Sequence, residues 1–249
     1  MQKELYRTED KHGCIIVTER GSKRVLNFDS EFQQSCIYTN KLYYLAHEYT
    51  QIMLLGLIFV DAKNMTLLGL GGGGLVHCLN HFYPKAAINV VEIRQSVIDI
   101  AYDWFDMPMT ENIKVVCDDA SYYIQQAQAS SVDIIFSDLY EAQGMSSVQA
   151  QARFINNAHK ALSDNGTLVL NFHSMPNETS PVMKEIRAMF REIYVCDVYK
   201  GNWVLFCNKS EVILDSDELK DRARNLAKEV EMPLFYYFKQ MNNISSIDR

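Results

Sequence analysis

The sequence has no apolar segment long enough to cross a membrane and no excess of positive charge. Its longest apolar run, residues 52–60, is far shorter than the ~20 residues that a membrane-spanning helix needs. Residues 1–11 are polar and charged, so we expect no secretory signal. The formal net charge is −7, whereas nucleic-acid binding calls for a basic face. These absences predict a cytoplasmic protein that binds neither a membrane nor a nucleic acid.

The cysteines lack any arrangement that serves a structural or redox site. None of the six belongs to a Cys-x-x-Cys pair, and several lie inside apolar runs. This pattern favours buried free thiols in a reducing compartment over disulfides or zinc ligands. We predict no metal site in the chain.

The chain also lacks internal repeats and any Pro- or Ser-rich linker. Hydrophobic residues make up 48% of its 249 residues, which is enough for a full core. This length and composition fit one large domain with a small appendage.

What the sequence does contain is a glycine cluster between two apolar runs. Residues 67–74 read Leu-Leu-Gly-Leu-Gly-Gly-Gly-Gly, and the amphipathic segment that follows predicts a helix. Glycines in such a turn let the backbone approach a ligand closely, and the helix start offers unpaired N–H groups. The next apolar run ends at Glu92, whose carboxylate can accept both hydroxyls of a ribose. This order of strand, glycines, helix, strand and acid predicts a nucleoside site.

The predicted nucleoside contacts in this segment are Gly69, Gly71, Gly72, Gly73 and Glu92. The fingerprint Gly-x-Gly-x-x-Gly fits only loosely, because glycines also fill its variable positions. Four consecutive glycines suit a ligand that lies against the turn itself, which includes adenosyl sulfonium compounds as well as pyrophosphates. The alternative is a tight turn that binds no ligand.

Strands and helices alternate from residue 66 onward. The predicted strands are 66–70, 88–92, 113–117, 132–137 and 166–172, with a late pair at 193–198 and 203–208. The predicted helices are 74–82, 95–104, 120–128, 148–162, 180–190 and 216–230. This pattern predicts an α/β fold, a Rossmann-like and mostly parallel seven-stranded sheet of the adenosylmethionine-dependent transferase type.

A small β-hairpin appendage is predicted in front of this sheet, from strands within residues 14–28. We therefore divide the chain into an N-terminal β appendage, residues 1–40, and an adenosyl-sulfonium-binding Rossmann-like domain, residues 41–249. An apolar stripe predicts a helix over residues 41–60. On it, Tyr43, Tyr44 and His47 share a face, either as part of the core or as one wall of the active site.

Acidic side chains follow the third and fourth strands as well, and ligands of α/β sheets bind at these carboxyl ends. Asp118 and Asp119 are helix N-caps, acceptors for the adenine amine, or both. Asp138, Tyr140 and Glu141 follow the next strand and are the predicted catalytic residues. Two carboxylates can surround a cationic amine, and one can accept the proton that the amine must lose before it attacks carbon. The alternative for this loop is a solvated polar segment.

These segments together resemble the spermidine synthase (polyamine aminopropyltransferase) family, as a divergent member, over about residues 14–208. The resemblance is carried by Asp29-x-x-x-Gln33, the aromatic/His/Glu segment around His47, Gly69 to Gly74, Val91-Glu92-Ile93, Asp119-Ala120 and Asp138-Leu139-Tyr140-Glu141. It implies that Glu92 holds the ribose, that Asp119 reads the adenine and that Asp138 acts on the attacking amine. It also implies that Gln33, or Gln34 if the register slips by one, contacts the donor, and that Glu141 replaces the second aspartate of the family's gate loop.

Three features depart from the family pattern. Gly72 stands where the family carries an aspartate that helps to hold the terminal amine of decarboxylated adenosylmethionine. Leu139, Tyr140 and Ala142 replace the small hydroxyl residues and the proline of the gate loop, and Tyr199 matches the family's late tyrosine only loosely. Without an acid at position 72, the carboxylate tail of adenosylmethionine itself is less disfavoured.

The leading hypothesis is a transferase in which a small-molecule amine attacks a carbon of an adenosyl sulfonium. In the spermidine-synthase-like form, decarboxylated S-adenosylmethionine donates an aminopropyl group. In a methyltransferase, S-adenosylmethionine donates its methyl group instead. The motifs also fit a non-catalytic nucleoside-binding homologue and, with weaker support, a nucleotide-dependent dehydrogenase. The appendage, the apolar segment 41–60 and the resemblance further predict a homodimer.

Overall fold

The computed structural model of the chain describes residues 2–28, 33–141, 144–145, 147–198, 201–211 and 216–245. The N-terminal residues form a four-stranded sheet, and most of the remaining strands form a separate eight-stranded sheet flanked by helices. The predicted α/β fold class is confirmed, with two differences in strand number.

The first difference lies in the N-terminal sheet, which is wholly antiparallel and has four strands in chain order. Its strands are β1 (Lys3–Asp10), β2 (Gly13–Arg20), β3 (Lys23–Phe28) and β4 (Gln33–Tyr38). The sequence pattern predicts only the hairpin of β2 and β3. Charged and polar residues occupy both faces of β1, so this edge strand has no apolar alternation by which to recognise it.

The second difference lies in the large sheet, which gains an eighth strand. Its first four strands are β5 (Asn64–Leu68), β6 (Ala87–Glu92), β7 (Ile113–Cys117) and β8 (Val132–Ser137). A separate ladder follows, made of β9 (Tyr140–Glu141) and β10 (Gly144–Met145). The large sheet continues with β11 (Leu162–Phe172), β12 (Glu192–Val198), β13 (Asn202–Asn208) and the short β14 (Asn242–Asn243).

The strand order of the large sheet is β14-β12-β13-β11-β8-β5-β6-β7. The ladders from β11 through β8, β5 and β6 to β7 are parallel, and β13 pairs antiparallel with β11 and with β12. The late hairpin predicted from the sequence is therefore present. The carboxyl ends of β5, β6, β7 and β8 meet at one edge, where a ligand of such a sheet binds.

Eight α-helices flank the large sheet in the part of the chain that is described. They are α1 (Glu48–Met53), α2 (Gly74–Phe82), α3 (Gln95–Trp104), α4 (Ala120–Gln126), α5 (Ala152–Ala161), α6 (Pro181–Met189), α7 (Asp217–Glu229) and α8 (Leu234–Phe238). Within the described residues, no helix combines the length and the apolar character that a membrane crossing requires.

The helix predicted over residues 41–60 is shorter than expected, so that prediction is wrong for its first part. The α-helix begins at Glu48 and continues as a 3₁₀-helix over Leu54–Ile58. Before it, Leu45 forms an isolated bridge with Ile37, which holds that segment against β4. A Cβ on Gly56 would lie 2.5 Å from Val169, so this glycine lets the 3₁₀-helix pack directly on the sheet.

Apolar residues cover both faces of the large sheet, as expected for parallel strands with helices on either side. Alternate residues of β8 show this: Ile134 and Phe136 pack in one core with Ile52, whereas Ile135 packs in the other with Phe154. A third, smaller cluster joins β2 and β3 of the N-terminal sheet to α3, through Ile15, Val17, Leu26, Val97 and Ile100. Since α3 begins just after β6, this packing sets the N-terminal sheet beside the ligand edge of the large sheet.

Candidate active site

A cavity of about 720 Å³ lies where the N-terminal sheet meets the carboxyl ends of the parallel strands. The N-terminal sheet and its turns contribute Lys11, His12, Gly13, Phe28, Ser35 and Cys36. The segments after the parallel strands contribute Gly69, Leu70, Gly71, Glu92, Ile93, Arg94, Asp118, Asp119, Asp138 and Leu139. This volume suits a small-molecule ligand, and four of the predicted acids line it: Glu92, Asp118, Asp119 and Asp138.

The glycine turn after β5 forms one wall of the cavity. Gly69 and Gly71 line it and have φ angles of 98° and 54°, which L side chains rarely adopt. A Cβ on Gly69 would lie 2.2 Å from the carbonyl oxygen of Asp138. Glycine at position 69 therefore lets the backbone of the turn touch the backbone that carries Asp138.

The other two glycines predicted to contact the ligand, Gly72 and Gly73, pack closely against neighbouring side chains. Gly72 N donates a hydrogen bond to Ser35 Oγ over 2.9 Å, and a Cβ on Gly72 would lie 2.6 Å from the ring of Phe105. A Cβ on Gly73 would lie 2.9 Å from Met107 Sδ. Among the described residues, neither glycine lines the cavity. The buried ring of Phe105 fills the space that a side chain at position 72 would need.

Glu92 is the last residue of β6, and two backbone N–H groups hold its carboxylate. Oε2 accepts from Leu70 N over 3.1 Å, and Oε1 accepts from Arg94 N over 3.0 Å. Burial raises the pKa of this carboxyl above its ordinary range, although backbone hydrogen bonds from Arg94, Leu70 and Ile93 oppose the shift. The carboxylate keeps a further acceptor site, so the group can still accept from a ligand hydroxyl.

Asp118 and Asp119 follow β7 and line the same cavity. Asp119 is the N-cap of α4, since its Oδ1 accepts from Tyr122 N over 3.0 Å. Asp118 Oδ1 accepts from Asp119 N over 2.8 Å. The N-cap interpretation is thus correct for Asp119, and it leaves room for the predicted adenine contact, because a carboxylate has acceptor sites beyond the one that the cap uses.

Asp138 directly follows β8 and is half-buried at the cavity wall. Asn171 Nδ2 donates to its Oδ1 over 2.7 Å, and the Tyr49 hydroxyl donates to its Oδ2 over 3.2 Å. Burial raises the pKa of Asp138 to about 6, against the opposing effect of the two hydrogen bonds. Such a carboxyl is ionised at neutral pH and is more basic than an ordinary aspartate. It therefore has the charge to attract an ammonium group and the basicity to take its proton.

Three further predicted residues are described by their backbone alone. Gln33 begins β4, and Tyr140 and Glu141 form β9. Their side chains lie outside the described part of the structure, so their roles stay predictions. Asp29, Ala142 and Tyr199, which belong to the family comparison, lie outside the described residues.

One pair of histidines stands four residues apart on α2, a spacing that can serve zinc. In the structure, His77 Nε2 pairs with the carbonyl oxygen of Phe105 over 2.8 Å, and the ring of His81 stacks on Tyr43 with 4.1 Å between centroids. Over the described residues, no three His, Cys, Asp or Glu side chains are grouped so as to hold a metal ion.

The helix face predicted to join Tyr43, Tyr44 and His47 does not form, because α1 begins only after His47. His47 lines the cavity, whereas Tyr43 stacks on His81 and Tyr44 packs against the core and Tyr38. Burial lowers the pKa of His47, which favours its neutral form.

The sequence does not predict the residues that surround Glu92 and Asp138. It places Tyr49 in an apolar stripe, yet the phenol reaches Asp138. It gives no role to Arg94, which is only 5% exposed and pairs with Asp10 over 2.7 Å. These contacts join residues far apart in the chain, and no local pattern marks them. Asn171 is the exception, since it lies near the carboxyl end of the strand predicted over 166–172, where ligands of such sheets bind.

Known proteins of two activities are similar to this chain. The "eEF1A lysine and N-terminal methyltransferase" of Xenopus laevis is 29% identical over 210 residues, which is 76% of this chain and 30% of that protein. The chain thus spans less than a third of that relative. The "Polyamine aminopropyltransferase" of Neisseria meningitidis is 26% identical over 219 residues, 86% of this chain and 83% of that protein.

Solved structures support the fold. The structure of a "probable spermidine synthase" from Corynebacterium glutamicum matches with a TM-score of 0.78 and 20% identity, over 89% of this chain and 86% of that one. The family model of the spermine/spermidine synthase domain matches residues 44–210, more than half of the sequence. The glycine turn, Glu92, Asp119 and Asp138, found on one cavity, all lie within these residues. On this evidence, the chain belongs to the spermine/spermidine synthase family.

Proposed function

We propose that this protein transfers a group from an adenosyl sulfonium donor to a small amine, with Asp138 accepting the proton of the amine. The observation that carries this proposal is the position of Asp138. Its carboxylate faces the same cavity as Glu92, Asp119 and the glycine turn, and its pKa of about 6 suits a base. The relatives with transferase names support the reaction class.

Different residues of the chain bind the donor and accept the proton. Glu92 accepts from the ribose hydroxyls, and Asp119 accepts from the adenine amine. Asp138 first attracts the amine as an ammonium ion and then takes one proton from it. The amine nitrogen forms a bond to carbon as the carbon–sulfur bond breaks, and sulfur leaves as a neutral thioether with that electron pair. Because the sulfonium is already activated, positioning and deprotonation are the main contributions required of the protein.

Two donors fit this scheme, and they differ in the carbon that is attacked. Family membership favours decarboxylated S-adenosylmethionine, which would donate an aminopropyl group to the amine. In the family pattern, an aspartate at position 72 helps to hold the terminal amine of that donor.

A departure from the family sequence favours the second donor, S-adenosylmethionine, and methyl transfer. Position 72 is glycine here, so the chain lacks the aspartate that holds the terminal amine of the decarboxylated donor in the family pattern. Without that acid, the carboxylate tail of S-adenosylmethionine is less disfavoured. The similarity to a methyltransferase over 76% of the chain supports the same candidate.

The nucleoside product distinguishes these functions in one assay. The protein is incubated with each donor and a panel of small amines, and the nucleosides are separated by chromatography. Methylthioadenosine identifies aminopropyl transfer, and adenosylhomocysteine identifies methyl transfer. If neither forms while both donors bind, the protein is a non-catalytic binder and the proposed function is wrong.

We also propose that the protein forms a homodimer. The support is the N-terminal sheet beside the cavity, together with family membership. Light scattering at micromolar concentration should give twice the mass of the chain, and a monomer at that concentration would contradict the proposal.

A further inference from the structure

A chain of hydrogen-bonded side chains runs from Asp138 to the hairpin of β12 and β13. Asn171 Nδ2 donates to Asp138 Oδ1 over 2.7 Å, and Asn202 Nδ2 donates to Asn171 Oδ1 over 2.9 Å. Asn171 is buried and Asn202 is half-buried. Neither asparagine is among the described residues that line the cavity, so both act on a bound ligand indirectly, through Asp138.

The two asparagines meet because they share one face of the large sheet. Asn171 is opposite Val204 in the antiparallel ladder of β11 and β13. Asn202 comes two residues before Val204, and side chains at this spacing point to the same face. Asn202 is therefore the diagonal neighbour of Asn171 across the strand pair. Gly201, with a φ of 111°, donates to the carbonyl oxygen of Val198 and closes the turn directly before Asn202.

The backbone of Asn171 is fixed separately from its amide group. Gln149 Nε2 donates to the Asn171 carbonyl oxygen over 2.6 Å, and Gln149 Oε1 accepts from Ser137 Oγ over 2.7 Å. All three residues are buried. Gln149 thus joins the end of β11 to the end of β8, directly before Asp138. With the backbone held in this way, Asn202 can act on Asn171 by setting the direction of its amide.

The carboxylate at one end of this chain decides which way each amide points. A carboxylate can only accept, so Asn171 turns its NH2 group to Asp138 and its oxygen to Asn202. Asn202 must then offer its own NH2 group. If the Asn171 amide turned over, its oxygen would face Asp138, an arrangement that favours the protonated acid. The donor from Asn202 opposes that turn.

The groups that face Asp138 from the neighbouring elements leave Asn171 with the larger influence on its charge. Tyr49 on α1 donates to Oδ2, and His47 stacks on the Tyr49 ring with 5.6 Å between centroids. The acids after β6 and β7 line the same cavity, and β11 and β13 present neutral amides. Among the described groups, burial raises the pKa of Asp138, and the hydrogen bond from Asn171 lowers it more than that from Tyr49 does. A proton that arrives on Oδ2 meets a hydroxyl that can rotate, so Oδ1 keeps its donor.

We propose that Asn202 is a positioning residue that holds Asn171 as a donor and so keeps Asp138 ionised until the amine delivers its proton. This inference rests on the proposed function, which makes Asp138 the proton acceptor. Neither asparagine contacts the donor or the amine in this scheme. The hairpin of β12 and β13 thereby controls the charge of a base that lies on another strand.

The ionisation of Asp138 can be followed in the full chain without any ligand. NMR of isotope-labelled aspartate carboxyls gives a titration curve, and Asp138→Asn identifies the resonance of this group. In Asn202→Ala, Asn171 loses the donor that sets its amide, so the pKa of Asp138 should rise by about 0.5–1, the loss expected for one hydrogen bond to the charged form. Asn243→Ala removes an exposed amide from β14 of the same sheet and should leave the curve unchanged.

A double substitution tests whether Asn202 acts through Asn171. Asn171→Leu keeps the approximate shape of the buried side chain and removes the amide, so it should itself raise the pKa of Asp138. Adding Asn202→Ala to that variant should change the pKa no further. An equal effect of Asn202→Ala in both backgrounds would overturn the positioning role, and so would an unchanged curve in the folded Asn202→Ala variant.

The pH profile of turnover separates this inference from the proposed function. If Asp138 is the base, the acid limb of the profile should move to higher pH in Asn202→Ala, by the same amount as the NMR titration. A titration curve that moves in a protein that forms no product would support the positioning role and contradict the proposed function. A curve that moves while the acid limb stays in place would show that Asp138 is not the base.

Discussion

Glu92 and Asp138 are two carboxylates on one cavity, and their surroundings differ in kind. Backbone N–H groups from Leu70 and Arg94 hold Glu92, whereas the side chains of Asn171 and Tyr49 hold Asp138. Burial raises the pKa of both. The backbone partners are fixed donors that the fold itself positions, so Glu92 is suited to a constant part of the ligand. The side-chain partners of Asp138 can rearrange as a proton arrives, so Asp138 is suited to the reacting part.

The proposed function assigns donor binding to Glu92 and proton transfer to Asp138, and substitutions of the two acids test this division. The largest expected effect is on turnover in Asp138→Asn. The variant keeps the shape of the side chain but loses its charge and most of its basicity. We expect turnover in the nucleoside-product assay to fall by about 10²-fold or more, with nucleoside affinity nearly intact.

The matched control for this change is Asp133→Asn, at the opposite end of β8. Asp133 accepts from the backbone N–H groups of Lys63 and Asn64, far from the ligand edge, and an amide oxygen can accept there too. Normal turnover in Asp138→Asn together with a loss in Glu141→Gln would reverse the roles of these two acids. Full activity in both would remove this loop from catalysis.

The next effect concerns Glu92→Ala, which should act on binding alone. Loss of a carboxylate that receives ligand hydrogen bonds costs about 1.5–3 kcal/mol, so adenosyl nucleosides should bind about tenfold more weakly or worse. Calorimetry measures this directly, with Asp99→Ala on the exposed side of α3 as the control. Unchanged affinity in a folded Glu92→Ala variant would remove Glu92 from the nucleoside site.

A third prediction concerns the glycine turn, which lies beside both acids. Gly72→Ala should lower the free energy of unfolding by about 1–3 kcal/mol, because the new Cβ overlaps the ring of Phe105. Gly74→Ala meets only ordinary contacts at 3.7 Å and beyond, so its stability should stay close to the wild type. Equal stability of the two variants in urea unfolding would show that position 72 has room for a side chain.

The smallest effect is a gain in stability from the same Asp138→Asn change. The carboxyl has a pKa of about 6 in the folded chain and an ordinary value of 3.8. The folded state therefore holds its proton more tightly, and wild-type stability falls as the pH rises through this window. Above pH 6 the wild-type carboxyl is ionised, and the folded state carries the full free-energy cost of that buried charge. Asp138→Asn should therefore be more stable than the wild type by about 1–2 kcal/mol.

Urea unfolding at pH 7.5 and at pH 4 tests that gain. The advantage of Asp138→Asn should be full at the higher pH and should shrink at the lower one, where the wild-type carboxyl is protonated. A variant that is less stable than the wild type at pH 7.5 would show that the hydrogen bonds to the carboxylate outweigh its burial.

Most of the fold could be predicted from the sequence because its strands are locally marked. The strand predicted over 132–137 matches β8, and Glu92 lies at the end of β6 as expected. β1 could not be predicted, because an exposed polar edge strand leaves no periodic signal. The residues at the strand ends of the site could likewise be predicted, because each follows a locally marked strand. The hydrogen bonds that join these residues to other parts of the chain could not be predicted. The contact of Tyr49 with Asp138 spans 89 positions in the chain.

The contact between Gly69 and the carbonyl oxygen of Asp138 has a consequence for how this site can change. Backbone touches backbone there, so the separation between the glycine turn and the backbone of residue 138 does not depend on any side chain that substitution could lengthen or shorten. On the proposed function, the loop after Asp138 can then vary in sequence to admit acceptors of different size, while the backbone that carries the proposed base keeps its place beside the glycine turn.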